Sequence, residues 1–276
     1  MRSMGMSDTQ MGGTQLDSSQ TGSTEMSCAE MEIVFERQYP VGHLEIDLHS
    51  KCRPSSVMMF MQHAATIHSQ RLRISRDQLV ESRGCFWILS RAKFELNEPL
   101  LLDDELALRT WCREAKGVTW NREFEFVKNG KVIGGASTLW VIAELETKKL
   151  IKVSSFSNLA ELTHPEKHSG VDLLRLKPTS GLKSLGMRRV VYSDCDINQH
   201  LNNTRYADIL CDMMDMHLER DRFVNSLQIN FVDEARPGDL LEVFASDPNE
   251  QGIRYACGKF KDGRLCFEAE LSMALC

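Results

Sequence analysis

The chain has 276 residues, enough for a sizeable core and about two domains' worth at roughly 150 residues per domain. Hydrophobic residues make up 42% and charged residues 26%, which excludes wholesale disorder. With 33 basic and 39 acidic residues the net charge is -6, so a strongly basic nucleic-acid binder is excluded as the default. Apolar runs such as Leu139-Trp140-Val141-Ile142-Ala143 fall far short of the ~20 residues of a membrane span, so a soluble protein is expected.

Residues 1–30 carry one basic residue, Arg2, and lack the apolar stretch of a secretory signal. Rich in Ser, Thr, Gly, Gln and Met, they read as a disordered leader. Nine cysteines are scattered singly at 28, 52, 85, 112, 195, 211, 257, 266 and 276, none in C-x-x-C spacing. That pattern speaks against a disulfide framework or a structural zinc site and for a reducing, cytoplasmic setting; no metal or cofactor is expected.

From Ile33 onward the pattern is short strands interrupted by two amphipathic helices. The first is predicted from Pro54 to Gln70, with Val57, Phe60, Met61, Ala64, Ala65 and Ile67 at three-and-four spacing and Pro54 in the first turn. The second is predicted from Thr204 to Leu218, with Tyr206, Ile209, Leu210, Met213 and Met216 on one face and Asn203 as N-cap. A run of strands follows each helix. Asn129-Gly130 marks a hairpin in the first run and Asp262-Gly263 one in the second, both suited to tight two-residue turns. These dipeptides stand 133 positions apart (262 − 129), and Asp104 and Asp239 ahead of them 135 apart (239 − 104), which points to a duplicated unit.

Each unit reads as a strand, a helix and antiparallel strands curled round that helix, the α+β arrangement called a hot-dog. Two unrelated α+β domains are the alternative. The expected organisation is an N-terminal hot-dog over residues 31–165, a basic linker over 166–186 and a C-terminal hot-dog over 187–276. From Lys167 to Arg189 the chain holds Lys167, Arg175, Lys177, Lys183, Arg188 and Arg189 against Asp172.

The stretch richest in chemistry is Asp194-Cys195-Asp196-Ile197-Asn198-Gln199-His200-Leu201-Asn202-Asn203. Asp196, Asn198 and His200 alternate, so in an extended segment they share one face, where they can orient a water, polarise a carbonyl and move protons. The N-terminal amides of the helix that follows can receive an oxyanion. On pattern alone a hydrogen-bonded turn is as good a reading, with Asn202 and Asn203 merely capping the helix.

The run D-x-N-Q-H-x-N-N, followed by a helix that contains an aromatic residue, resembles the active-site segment of the acyl-acyl-carrier-protein thioesterases of plants and bacteria. Further likeness lies in Gln62-His63-Ala64-Ala65-Thr66-Ile67-His68-Ser69-Gln70, Trp111-Cys112, Gly130 to Gly134 and Trp140-Val141. The resemblance spans residues 31–276. It implies tandem hot-dog units and the hydrolysis of fatty acyl thioesters on an acyl carrier protein. The implied catalytic set is Asp196, Asn198, His200 and Glu234, with the N-terminal unit shaping the acyl pocket. Sliding the second unit onto the first by 148 residues sets Leu48, Ser50 and Cys52 opposite Asp196, Asn198 and His200, and by 135 sets Pro99 opposite Glu234, as if the first unit lacks the whole polar set.

Plant members often carry Cys directly after the strand Glu; here Ala235 stands there, which excludes a thiolate mechanism at that residue. Cys195 reads as a small packed side chain rather than a substitute nucleophile. Glu234 is expected to activate water with help from His200, while Asp196 is either nucleophile or orienter. His63 and His68, five apart, read as packing rather than metal ligands, and Met58, Met59 and Met61 as core or tunnel wall. Arg175, Lys177, Lys183, Arg188 and Arg189 are candidate contacts for an acidic carrier, or simply a soluble linker. Monomer and homodimer remain open. Rival activities are an acyl-CoA thioesterase, a hot-dog hydratase or dehydratase, and a silent acyl-binding protein.

Overall fold

In a computed structural model that describes residues 33–113 and 115–276, the strands join into one antiparallel sheet with the two long helices in its hollow. The leader reading falls outside the described residues. In chain order the elements are β1 (Val34–Pro40), α1 (Pro54–Arg71), α2 (Arg76–Arg83), β2 (Cys85–Leu96), β3 (Glu105–Cys112), β4 (Thr119–Lys128), β5 (Lys131–Glu144) and β6 (Leu150–Ile151). They continue with β7 (Lys183–Arg189), α3 (Arg205–Met213), β8 (Arg222–Phe231), β9 (Leu240–Ala245), β10 (Arg254–Phe260) and β11 (Leu265–Leu275).

The spatial order β1-β3-β4-β5-β2-β8-β11-β10-β9-β7, with β6 beside β5, reads the same from either end once the second half is matched to the first. Its centre is the β2–β8 pair, where Arg91 faces Asn230, Lys93 faces Gln228 and Glu95 faces Ser226. Lys93 and Gln228 stand 135 positions apart (228 − 93), the spacing of Asp104 and Asp239. The repeat seen in the sequence is therefore an approximate two-fold through the middle of the sheet, and the fold is the expected pair of hot-dog units.

α1 starts where Pro54 fixes φ beside an extended Arg53. Its buried face, Val57, Met58, Phe60, Met61, Ala64 and Ala65, shares one core with Tyr206, Ala207, Ile209 and Leu210 of α3. α3 is shorter than predicted: it ends at Met213, and Asp215 turns left-handed (φ 53°) before a 3-10 turn over Met216–Leu218. The apolar spacing that runs on to Met216 serves packing, not helix continuation. α2, unforeseen, is closed by a capping box, with Gln78 Oε1 accepting from Ser75 N–H (3.0 Å), and by left-handed Gly84. At Asn129-Gly130 both residues are left-handed (φ 51° and 77°), as a two-residue hairpin needs. The second hairpin is longer than expected: residues 261–264 separate β10 from β11, only Gly263 there is left-handed (φ 84°), and the register shifts at Gly258/Lys259.

The segment between β6 and β7 crosses the face of the sheet opposite the helices. Trp111 Nε1–H donates to Lys167 O (3.0 Å) and Ser169 N–H to Glu123 Oε2 (3.1 Å). Gln228 mimics a strand partner, accepting from Leu174 N–H (3.0 Å) and donating to Leu174 O (2.7 Å). A Cβ at Gly135 would lie 2.9 Å from Ser169 O, so the crossing depends on glycine there. β7 begins at Lys183, inside the span read as linker.

The halves are also tied through the loop after β1. His49 Nε2–H donates to His217 O (2.9 Å), and buried Lys51 donates to Glu219 O (3.3 Å), Arg220 O (2.6 Å) and Arg222 O. Removing that ammonium strands carbonyls away from water, at about 1–3 kcal/mol. Lys51→Met is expected to lower the unfolding free energy by that amount in urea titration, whereas Lys149→Met, on an exposed turn, should leave it unchanged.

Candidate active site

The motif is not an extended segment. After a 3-10 turn at Tyr192–Asp194, Cys195 and Leu201 pair as an isolated antiparallel bridge, and residues 196–200 form a tight loop between them. Asp196 N–H donates to His200 O (3.0 Å), Gln199 N–H to Asp196 O (2.9 Å), and Gln199 is left-handed (φ 66°). The Asp196 carboxylate closes the loop: Oδ1 accepts from Asn198 N–H (2.8 Å) and Oδ2 from Asn202 Nδ2 (3.3 Å). Local hydrogen bonds, not strand alternation, thus gather Asp196, Asn198 and His200.

Glu234 arrives from the end of β8. Leu201 N–H donates to Ala235 O (2.8 Å), pinning the exit of β8 to the loop, and His200 Nε2 lies 3.5 Å from Glu234 Oε2. The His200 side chain is 26% exposed and that of Glu234 54%, so the pair is reachable from solvent. All four predicted residues belong to this loop and the segment pinned to it. Glu234 N–H is held by Asp233 Oδ1 (2.9 Å), and Arg264 pairs with the other oxygen of Asp233.

The expected cap, Asn203, is not the one used. Asn202 Oδ1 accepts from Thr204 N–H and Thr204 Oγ1 (both 2.9 Å), and Asn202 O accepts from Arg205 N–H (2.9 Å). The amides of 204 and 205 are thereby occupied and not available to an oxyanion. Asn202 joins Asp196 to the start of α3, a role the reading of it as a cap left out.

The first half contains the same loop. Val41 N–H donates to Asp104 O (2.9 Å) as Val190 N–H does to Asp239 O (2.9 Å), and Cys52 N–H donates to Leu100 O (2.8 Å) as Leu201 N–H does to Ala235 O. Residues before the helices therefore correspond 149 apart (190 − 41), not 148, and those after them 135 apart. His49 N–H donates to Asp47 Oδ1 (2.8 Å), and Ser50 is left-handed (φ 63°). Asp47, His49 and Lys51, not Leu48, Ser50 and Cys52, stand opposite Asp196, Asn198 and His200, with Pro99 opposite Glu234. The first half keeps the aspartate-closed loop and differs in the other three side chains. Its polar residues are not missing; they dock on residues 217–222.

Cys195 donates to Val191 O (3.5 Å), and burial, with Asp194 and Asp196 adding to it, pushes its thiol up, away from thiolate chemistry. Ala235 is fully buried. His68 is buried against Phe35, its Nδ1 2.8 Å from Arg122, whereas His63 is exposed and lies edge-on to Tyr39. Of the basic candidates, Lys183 pairs with Asp247 (2.7 Å) and Arg188 with Asp194 (3.1 Å); Arg175, Lys177 and Arg189 are exposed. A cavity of about 530 Å³ lies in the first half between β1 and α1, lined by Tyr39, Met59, Phe60, Gln62 and His63 among others. Among the described residues no helix is long and apolar enough to cross a membrane.

Comparison with known proteins agrees with this architecture. Residues 32–156 match the acyl-ACP thioesterase N-terminal domain and residues 183–262 its C-terminal domain. A chloroplastic acyl-[acyl-carrier-protein] hydrolase of Cuphea viscosissima is 22% identical over 237 residues, covering 80% of this chain and 57% of that protein. The chloroplastic oleoyl-acyl carrier protein thioesterase 2 of Arabidopsis thaliana is 20% identical over 250 residues, covering 78% and 64%. The chain thus spans less than two thirds of the length of these relatives. An acyl-ACP thioesterase from Bacteroides thetaiotaomicron superposes with a TM-score of 0.80 at 21% identity, over 90% of this chain and all of that one. The 12:0-ACP thioesterase of Umbellularia californica gives 0.76 at 15% identity, over 89% and 98%. With both domains matched in order along most of its length, the chain belongs to the acyl-ACP thioesterase family.

Proposed function

We propose that the chain hydrolyses fatty acyl-acyl-carrier-protein thioesters to a free fatty acid and the carrier thiol, with Asp196, Asn198, His200 and Glu234 as the working residues. The observation that carries this reading is the 3.5 Å approach of Glu234 Oε2 to His200 Nε2, in the half whose twin has Pro99 and Lys51 in their places. A thiolate leaves readily, so the site has two tasks: to activate water and to steady the oxyanion. Glu234 takes the proton from water as oxygen attacks the acyl carbon, and His200 orients that water and delivers a proton to the departing sulfur. With the amides of 204 and 205 taken, we assign the Asn198 carboxamide as a donor to the carbonyl oxygen. Asp196, with both carboxylate oxygens engaged, supports the orienting role over the nucleophilic one.

The acyl chain is assigned to the first half, where the cavity bounded by Tyr39, Met59 and Phe60 offers apolar walls. Exposed Arg175, Lys177 and Arg189 suit an acidic carrier. Eight free cysteines among the described residues fit a reducing compartment, and cytoplasm is the assignment we favour over the chloroplastic setting named for the plant relatives.

Thiol release from dodecanoyl-, palmitoyl- and oleoyl-acyl carrier protein tests the activity directly. Glu234→Gln and His200→Ala are each expected to lower kcat/KM by about 10²- to 10⁴-fold on the best of these substrates. Wild-type rates in both would refute the assignment. Cys195→Ser should retain kcat within about twofold, because a thiol held away from ionisation is not the nucleophile; a loss of the size seen for Glu234→Gln would reinstate it. Met59→Trp, which fills part of the cavity, should depress the palmitoyl rate relative to the dodecanoyl rate; an unchanged ratio would move the chain pocket elsewhere.

A further inference from the structure

Behind the exposed pair lies a buried polar chain that the reaction scheme does not use. It starts at Tyr206, on the first turn of α3. Tyr206 Oη lies 3.8 Å from Cys266 Sγ on β11, and Cys266 Sγ–H donates to Asp233 O (3.4 Å). With the thiol donating to the carbonyl, the phenol O–H points to sulfur. The chain ends on the carbonyl of 233, in the peptide group that joins Asp233 to Glu234.

The twin half provides an internal control. By the correspondences above, Tyr206 matches Val57, and Cys266 matches Ile133, since Val232 N–H donates to Cys266 O (2.9 Å) as Asn97 N–H does to Ile133 O (2.7 Å). Where Pro99 replaces Glu234, the phenol and thiol are replaced by aliphatic side chains, and the same backbone turn forms without them. The polar chain is therefore not what folds this turn. A buried hydroxyl and thiol carry a desolvation cost that aliphatic groups avoid, and here they accompany the carboxylate. Tyr206 and Cys266 are 3% and 0% exposed, so neither meets solvent or a carrier protein.

We propose that Tyr206 is a positioning residue, which fixes Glu234 against His200 through Cys266 and the peptide group that precedes Glu234. The inference rests on the reading of Glu234 as the base. Glu234 is 54% exposed and, among the described residues, its carboxylate pairs with His200 alone, so its direction is set by residues 233–235. Leu201 N–H holds the carbonyl of 235, and Cys266, itself engaged by Tyr206, holds the carbonyl of 233. Without the phenol O–H, the thiol is no longer held toward the carbonyl of 233, and the turn can rock about the bond that remains.

Tyr206→Phe is the test, because the ring keeps its edge contacts with Phe231 (5.3 Å) and Phe267 (5.2 Å) while the hydroxyl is lost. On palmitoyl- and dodecanoyl-acyl carrier protein, kcat should fall about tenfold or more with KM within about twofold, since the base and not substrate binding is displaced. In a Glu234→Gln background the same substitution should cost nothing further, because there is no base left to misplace. Unchanged kcat in Tyr206→Phe, with Glu234→Gln still impaired, overturns the inference and spares the catalytic reading. Equal losses in both backgrounds also overturn it, marking a general structural effect. Full activity in Glu234→Gln removes the catalytic reading and the inference together. If Tyr206→Phe does not fold, Cys266→Ala interrupts the chain at its other end. A kcat loss in Cys266→Ala that vanishes in the Glu234→Gln background supports the inference, and wild-type kcat there overturns it.

Discussion

The hydrogen bond from Leu201 N–H to Ala235 O, 2.8 Å long, joins two stretches that lie more than thirty residues apart in the chain. On one side is a loop closed by the Asp196 carboxylate; on the other is the exit of β8, where the chain leaves the sheet. Their junction sets His200 and Glu234 within 3.5 Å, and it holds only while β8 keeps its register on β2 and β11. A one-residue slip in either pairing would turn each side chain of β8 to the opposite face and carry Glu234 away from the loop. The sheet is thus the ruler against which the site is measured, and the core shared by α1 and α3 keeps that ruler rigid.

The same junction exists in the first half, with Cys52 N–H on Leu100 O, and there it serves a different end. Duplication supplied two copies of an aspartate-closed loop before a helix. In one copy the side chains after the aspartate are His49 and Lys51, spent on the carbonyls of residues 217–222, and the position of the strand carboxylate is Pro99. In the other the equivalent side chains stay open to solvent. One copy therefore acts as the brace and the other as the candidate site. Asp196 and Asp47 make the same bond to the amide two residues on, which argues that an aspartate here first serves the loop.

Much of this was legible in the chain itself. α1 begins and ends where Pro54 and the three-and-four spacing put it, Asn129-Gly130 turns as its type requires, and the 135-residue repeat of Asp104 and Asp239 is the distance between Lys93 and Gln228 across the central strand pair. The failures share a physical cause: short segments whose conformation is decided by hydrogen bonds rather than by hydrophobic period. The loop of residues 196–200 alternates like a strand but is closed by an Asx turn. The first-half loop was matched one residue out of register, because no apolar landmark fixes it and the backbone bonds of Val41 and Cys52 do. α2 has only Leu79 buried and so no stripe to detect; Ser75, Gln78 and Gly84 were the available signals. The proximity of Glu234 to the motif followed from no spacing at all and came only through the family likeness.

A single turnover in ¹⁸O-enriched water, with the released acid and the peptide containing Asp196 both weighed by mass spectrometry, bears most directly on how these side chains divide the work. Attack by water held between His200 and Glu234 places one heavy oxygen in the fatty acid and none in the protein. Heavy oxygen in the Asp196 carboxylate would contradict that account, since it would make this aspartate, and not water, the group that first bonds to the acyl carbon.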